Sequence, residues 1–240
     1  MTNLYLIRHG EAVGNVRPIL AGLRDPGLTP FGVSQAERLR DRLAATQEIA
    51  ADVLIASTMP RARQTAEIIA PSLGLPIIFD DEVQELRFGE ADGMTFEGAW
   101  AKFGKPDFAN HPLRPIAPGG ESWGQFTLRV SNALYRIIQE HAGKTIVVVC
   151  HGGVIDTSFL YFFQKPSTVL PVVEFSTRNT AITHWEQRNR DGLIRWRLVK
   201  YNDTAHLNDI GVKESVRWED VRKETDAESN HLSAPLPTEE

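Results

Sequence analysis

Arg8-His9-Gly10-Glu11 closes a short apolar run at the start of the chain, and Cys150-His151-Gly152-Gly153 closes a second one far downstream. A neutral imidazole is a nucleophile or base near pH 7, and a neighbouring guanidinium holds an anion. In open α/β sheets, ligands sit at the carboxyl ends of strands, which is where these residues fall. A lone histidine in such a place is ordinarily a hydrogen-bonded structural residue. Two, each delivered by a buried strand into a glycine-containing turn, point to one shared pocket.

Two further residues fit that chemistry. Arg61 stands in Pro60-Arg61-Ala62-Arg63-Gln64-Thr65-Ala66, the first turn of a predicted helix that directly follows a strand. Free N–H groups and the helix dipole attract anions there, and an arginine adds a bidentate clamp for phosphate oxygens. Glu85, in Gln84-Glu85-Leu86-Arg87-Phe88-Gly89, lies where the chain leaves the third strand and offers a carboxyl group for proton transfer. Taken singly, the first reads equally as a solvated arginine and the second as an exposed loop glutamate.

The elements that must position these residues follow from periodicity and turn signals. Strands are expected at 4–7, 53–56, 75–79 and 145–150, and two more near 181–185 and 194–199. Thr29-Pro30 supplies an N-cap and a proline at the first helical position, followed by a buried stripe of Ala36, Leu39 and Leu43. A second helix starts at Pro60 and stops at Gly74, and a third carries Phe126, Val130, Leu134, Ile137 and Ile138 on one face. A fourth begins at about Val154. Alternation of strands and helices predicts an α/β fold, a three-layer αβα sandwich around a mostly parallel sheet. Residues 85–120 break the pattern with glycines, prolines and one short helix near 96–103, and read as an irregular insertion over the carboxyl edge of the sheet that selects substrate.

Composition bounds the partners. A net charge of −5 argues against general nucleic-acid binding. Residues 211–240 hold eight acids and four bases, so a near-neutral domain at 1–210 precedes a charged, mobile tail. No apolar stretch is long enough for a membrane span, and the first residues do not resemble a secretory signal. Cys150, the sole cysteine, excludes an intramolecular disulfide, and a cytoplasmic location is expected.

Taken together, the motifs resemble the histidine phosphatase superfamily, the phosphoglycerate-mutase-like branch. The matching segments are Leu6-Ile7-Arg8-His9-Gly10-Glu11 with Asn15 downstream, Arg61-Ala62-x-Gln64-Thr65-Ala66, Glu85-Leu86-x-Phe88-Gly89, Gly119-Gly120-Glu121-Ser122 and Val149-Cys150-His151-Gly152-Gly153. They occur in the family's order and span residues 4 to about 208, ending with Asn202-Asp203-Thr204-Ala205-His206-Leu207.

The resemblance implies a metal-independent phosphomonoesterase with no cofactor. His9 would be the nucleophile, forming a phosphohistidine, and Glu85 the proton donor and acceptor. Arg8, Arg61 and His151 would surround the phosphoryl oxygens, with Asn15 and Gly152 contacting the same group. The expected partner is a small phosphorylated substrate, not nucleic acid or membrane, and a homodimer is left open. The alternatives are a cofactor-dependent phosphoglycerate mutase and a non-catalytic phosphate-binding domain. Against the mutase, Glu85-Leu86-Arg87-Phe88-Gly89 stands where Glu-Arg-His-Tyr-Gly is typical. The chain also departs from the common phosphatase continuation, with Ala91-Asp92-Gly93 in place of Trp-Glu-Gly.

Other signals fail on spacing or chemistry. A cysteine-phosphatase loop needs an arginine six residues after Cys150, where Asp156 stands, so Cys150 reads as a buried strand residue. His206 reads as structural, Glu121 and Ser122 as bordering the site or capping a helix, and Trp100 and Phe103 as pocket wall or local core. His111, His141, His184 and His231 show no partners in the sequence.

Overall fold

The computed structural model describes residues 1–210, so the predicted tail at 211–240 and His231 lie outside the described residues. In chain order the elements are β1 (Asn3–Arg8), α1 (Val13–Val16), α2 (Pro30–Thr46), β2 (Val53–Ser57), α3 (Pro60–Leu73), β3 (Ile77–Asp80), α4 (Phe96–Phe103), α5 (Trp123–Glu140), β4 (Thr145–Cys150), α6 (Gly152–Phe162), β5 (Ile182–Arg190) and β6 (Leu193–Asp203).

One six-stranded sheet has the order β3-β2-β4-β1-β5-β6. The first four strands run parallel, while β5 and β6 join antiparallel at one edge. Because strand side chains alternate between faces, β1, β2 and β4 each feed two cores, whereas the edge strand β3 adds only Ile77 to one of them. Leu4, Leu6, Ile55, Ile146 and Val148 pack under α5 and α6 through Phe126, Val130, Leu134 and Ile155. Ile7, Leu54, Ala56, Val147 and Val149 pack under α2 and α3 through Leu39, Leu43, Ala66 and Ile69. This is the three-layer sandwich expected. A third cluster, around Leu20, Phe96, Ala99 and Ile116, gives the 85–120 insertion a small core of its own.

Several boundaries differ from the sequence expectation. Strand β3 pairs from Ile77 rather than 75, because Pro76 has no N–H to donate to a ladder. Helix α6 starts at Gly152, two residues before Val154, since glycine carries no helical signal of its own. Strands β5 and β6 are nine and eleven residues long, forming a hairpin that extends well beyond the two short strands expected. Its turn is Asp191-Gly192, both at positive φ, the backbone that a two-residue hairpin turn demands. The charged residues Arg188, Arg190, Arg195 and Arg197 along the hairpin hide its alternation. Among the described residues, no helix is long and apolar enough to cross a membrane.

Candidate active site

Strand register brings the two histidines together. Arg8 pairs with Cys150 at the ends of β1 and β4, so the next residues, His9 and His151, emerge side by side. Their ring centroids are 5.2 Å apart. His9 continues the ladder by donating its N–H to Cys150 O at 3.0 Å. Its carbonyl accepts from Thr180 N at 3.2 Å and from Asn179 Nδ2 at 3.0 Å.

The His9 ring has one defined tautomer. Nδ1–H donates to Gly10 O at 2.7 Å, which leaves the Nε2 lone pair to accept from Arg61 Nε at 3.1 Å. The side chain is almost fully buried. Burial first, then the positive charges of Arg61 and Arg8, push its pKa well below the usual imidazole value. His9 is therefore held as a neutral imidazole next to two cations.

Arg61 lies in the first turn of α3, after Met59 as N-cap and Pro60 at the first helical position. Thr65 fastens that turn to the His9 loop, donating to Arg61 O at 2.7 Å and accepting from Gly10 N at 3.0 Å. The guanidinium is held from behind by Asp25, whose Oδ2 accepts from Nη1 at 2.9 Å. Both side chains are buried, Asp25 completely. Gly10 itself admits no side chain, since a Cβ there would lie 2.5 Å from Gly32 O in α2.

Arg8, at the end of β1, donates through Nη1 to Thr177 O. His151 is the N-cap residue of α6, with Nε2 2.8 Å from Ser57 Oγ at the end of β2. Burial, followed by Arg61 and His9, lowers its pKa well below the ordinary value. Its Nδ1 is buried without a hydrogen-bond partner among the described residues. Glu85 Oε2 accepts from Gly153 N at 3.0 Å, in the first turn of α6. A Cβ on Gly153 would run into that carboxylate. The loop carrying Glu85 is clamped by Arg129 of α5, which donates to Glu82 O at 2.8 Å and Gln84 O at 3.0 Å while pairing with Glu121 at 2.7 Å.

These groups face a cavity of about 530 Å³ lined by Arg8, His9, Asn15, Arg61, Glu85 and Gly152 among others. His151 is fully buried and stands behind the wall, beside His9. Asn15, on α1, accepts from Ala12 N at 2.9 Å and from Asn179 Nδ2 at 3.2 Å. The neutral imidazoles and guanidiniums form a setting that attracts an anion and repels a cation.

Residues 4–204 match the histidine phosphatase superfamily, branch 1. The chain belongs to that superfamily. The histidine phosphatase relatives include phosphoglycerate mutase-like protein 4 of Arabidopsis thaliana, 32% identical over 88% of this chain and 90% of that one. Phosphatase PhoE of Bacillus subtilis is 30% identical, covering 87% of this chain and 98% of the relative. Among solved structures, phosphoserine phosphatase of Entamoeba histolytica, in complex with 3-phosphoglyceric acid, superposes with a TM-score of 0.68 at 30% identity. That match covers 86% of this chain and all of the other.

Sequence reasoning missed several of the residues that build the site in this superfamily member. Asp25 sits in Asp-Pro-Gly and reads as a turn, which it also forms by accepting from Gly27 N at 3.0 Å. Asn179 and Ser57 carry no motif, and Thr65 stands inside the Arg61-Ala62-x-Gln64-Thr65-Ala66 segment without a role assigned to it. The substrate-selecting role was expected of 85–120 alone, yet the cavity is also walled by Ile19, Leu20, Leu170, Val173 and Phe175. Glu121 and Ser122 do not line the cavity. The first is ion-paired with Arg129, and the second caps α5 in a box with Gln125. Trp100 does line the cavity, whereas Phe103 belongs to the small insertion core. His184 has partners after all, stacking on Tyr5 at 4.0 Å and donating to Asn3 Oδ1 at 3.0 Å. Cys150 is buried, and burial pushes its thiol pKa up, as suits an inert strand residue.

Proposed function

We propose that the protein is a metal-independent phosphomonoesterase that works through a phosphohistidine at His9. The observation that carries this reading is the His9 ring, locked by Gly10 with its Nε2 lone pair turned to Arg61 Nε, and with Arg8 close by. A phosphoryl group arriving at Nε2 takes over the Arg61 donor, and both guanidiniums gain charge-assisted bonds as negative charge builds on its oxygens. The N–P bond forms as the P–O bond to the alcohol breaks, and Glu85 gives the departing alkoxide a proton. Glu85 then takes a proton from water, whose oxygen attacks phosphorus and releases His9 and inorganic phosphate. No step calls on a cofactor. Asn15 and, at the start of α6, Gly152 line the cavity and contact the phosphate, while His151 backs the His9 ring from behind the wall. A buried lone cysteine suits a reducing, cytoplasmic setting.

A phosphoglycerate mutase would use the same nucleophile but return the phosphate to an acceptor. Hydrolysis of 4-nitrophenyl phosphate with excess EDTA, compared in wild type and His9→Ala, tests the proposal. Turnover that survives the chelator and disappears in the variant supports it. Stable phosphorylation of His9 without release of inorganic phosphate moves the assignment to the mutase, and neither labelling nor turnover moves it to a binding domain.

A further inference from the structure

Beyond the phosphate-holding end, the cavity changes character. Its far walls carry Trp100 from α4, Phe108 from the insertion, Trp123 from α5 and Phe175 from the segment between α6 and β5. Trp100 stacks on Phe96 with centroids 5.8 Å apart, Phe108 leans on Trp123 at 6.0 Å, and Phe175 stacks on Phe159 at 4.1 Å. All four lining rings are only partly buried, so they present wet apolar surface that converges on one space. Such concentrated apolar exposure is unfavourable unless a ligand covers it.

The charges outside the phosphate cluster say what that ligand is not. They are Asp156, Glu174 and Arg178, of which Glu174 and Arg178 are exposed. Two of the three are carboxylates, which disfavour a second anionic group on the substrate. A phosphoryl group on a three-carbon polar chain would leave most of the 530 Å³ unfilled and set charged ends against rings.

We infer that the substrate is a phosphomonoester of a bulky apolar alcohol, with a group of at least ring size seated between Trp100, Phe108, Trp123 and Phe175. This rests on the phosphatase reading and narrows it. The loop between α6 and β5, through Val173 and Phe175, shares the selection with the insertion.

The test compares kcat/KM for 2-phenylethyl phosphate and ethyl phosphate, whose leaving alcohols are similarly basic, alongside O-phosphoserine and 3-phosphoglycerate. The phenylethyl ester is expected to exceed the ethyl ester by on the order of tenfold or more, and to exceed both polar esters. Trp100→Ala should shrink that ratio severalfold. Val173→Asp should also shrink it, and at a residue 58% exposed it does not threaten the fold. A ratio near one, or preference for phosphoserine or phosphoglycerate, overturns this inference while leaving the phosphatase intact. A chain that hydrolyses none of the four, nor 4-nitrophenyl phosphate, overturns the phosphatase reading and this one with it.

Discussion

Arg61 bridges two buried partners, donating Nη1 to the Asp25 carboxylate at 2.9 Å while its Nε meets His9 Nε2 at 3.1 Å. The carboxylate, with Gly22 O at 3.4 Å and Met59 Sδ at 3.5 Å, fixes the plane of the guanidinium and so the angle at which its Nε meets the His9 ring. A misplacement of about 1 Å can cost on the order of 100-fold in rate. Asp25→Asn is therefore expected to lower kcat/KM by roughly 10- to 100-fold, and to lower stability because a buried guanidinium loses its counter-charge. A double-mutant cycle separates positioning from general damage. In an Arg61→Ala background, Asp25→Asn should cost little further activity. Losses that multiply in full would show that Asp25 does not act through Arg61.

Glu85 has a different dependence on the substrate. Nitrophenolate departs without a proton, whereas an alkoxide needs one. Glu85→Gln should phosphorylate His9 readily from 4-nitrophenyl phosphate but slowly from an alkyl phosphate. With the base for the second step removed, stopped-flow traces should show a burst of about one nitrophenolate per His9 and then a slow phase. Equal losses on both esters, with no burst, would remove Glu85 from the proton-transfer role.

The parts of this site that were legible in the sequence are those attached to strand ends. His9 and His151 each follow a buried run and precede glycine, and Arg61 follows the Ser57–Pro60 helix start, so strand and turn signals point to one sheet edge and the resemblance joins them into one site. Asp25 was not legible, because a lone aspartate before Pro-Gly has the chemistry of a turn and its partner lies 36 positions away. Nor was the wall formed by Leu170, Val173 and Phe175, whose apolar residues have neither helical nor strand period. The β5–β6 hairpin was half legible. Trp185 and Ala181 mark its buried start, but its outer half is charged and exposed, where hydrophobic pattern carries no information.

His206 links fold stability to pH. It is 2.9 Å from Thr180 Oγ1, and burial, with Arg42 nearby, pushes its pKa down to about 4. An unfolded chain binds that proton near ~6.5. Between these values the unfolded state holds a proton the folded state lacks, so stability is full above about 6.5 and falls as pH drops toward 4. His9 and His151, also depressed, act in the same direction. Thermal melts at several pH values across this window should show a declining Tm, and His206→Gln should remove part of the decline. An unchanged slope in the variant would exclude His206 as a contributor.

Gly153 ties helix α6 to Glu85. Its N–H donates to Glu85 Oε2 at 3.0 Å, and a Cβ there would overlap the same carboxylate and lie 3.0 Å from the Phe126 ring. Phe126 is fully buried in the core under α5 and cannot retreat, whereas Glu85 faces the cavity and can. In Gly153→Ala the strain is therefore relieved by displacing Glu85. The expected outcome is a loss of about tenfold or more in kcat on alkyl phosphates, consistent with a misplaced proton donor. The loss should be smaller for His9 phosphorylation by 4-nitrophenyl phosphate, matching the pattern of Glu85→Gln, and binding of inorganic phosphate should change little. Stopped-flow and phosphate titration on the one variant decide it. A fall in phosphate affinity with both esters equally impaired would mean that the added methyl group distorts the anion site at the start of α6 and not the acid.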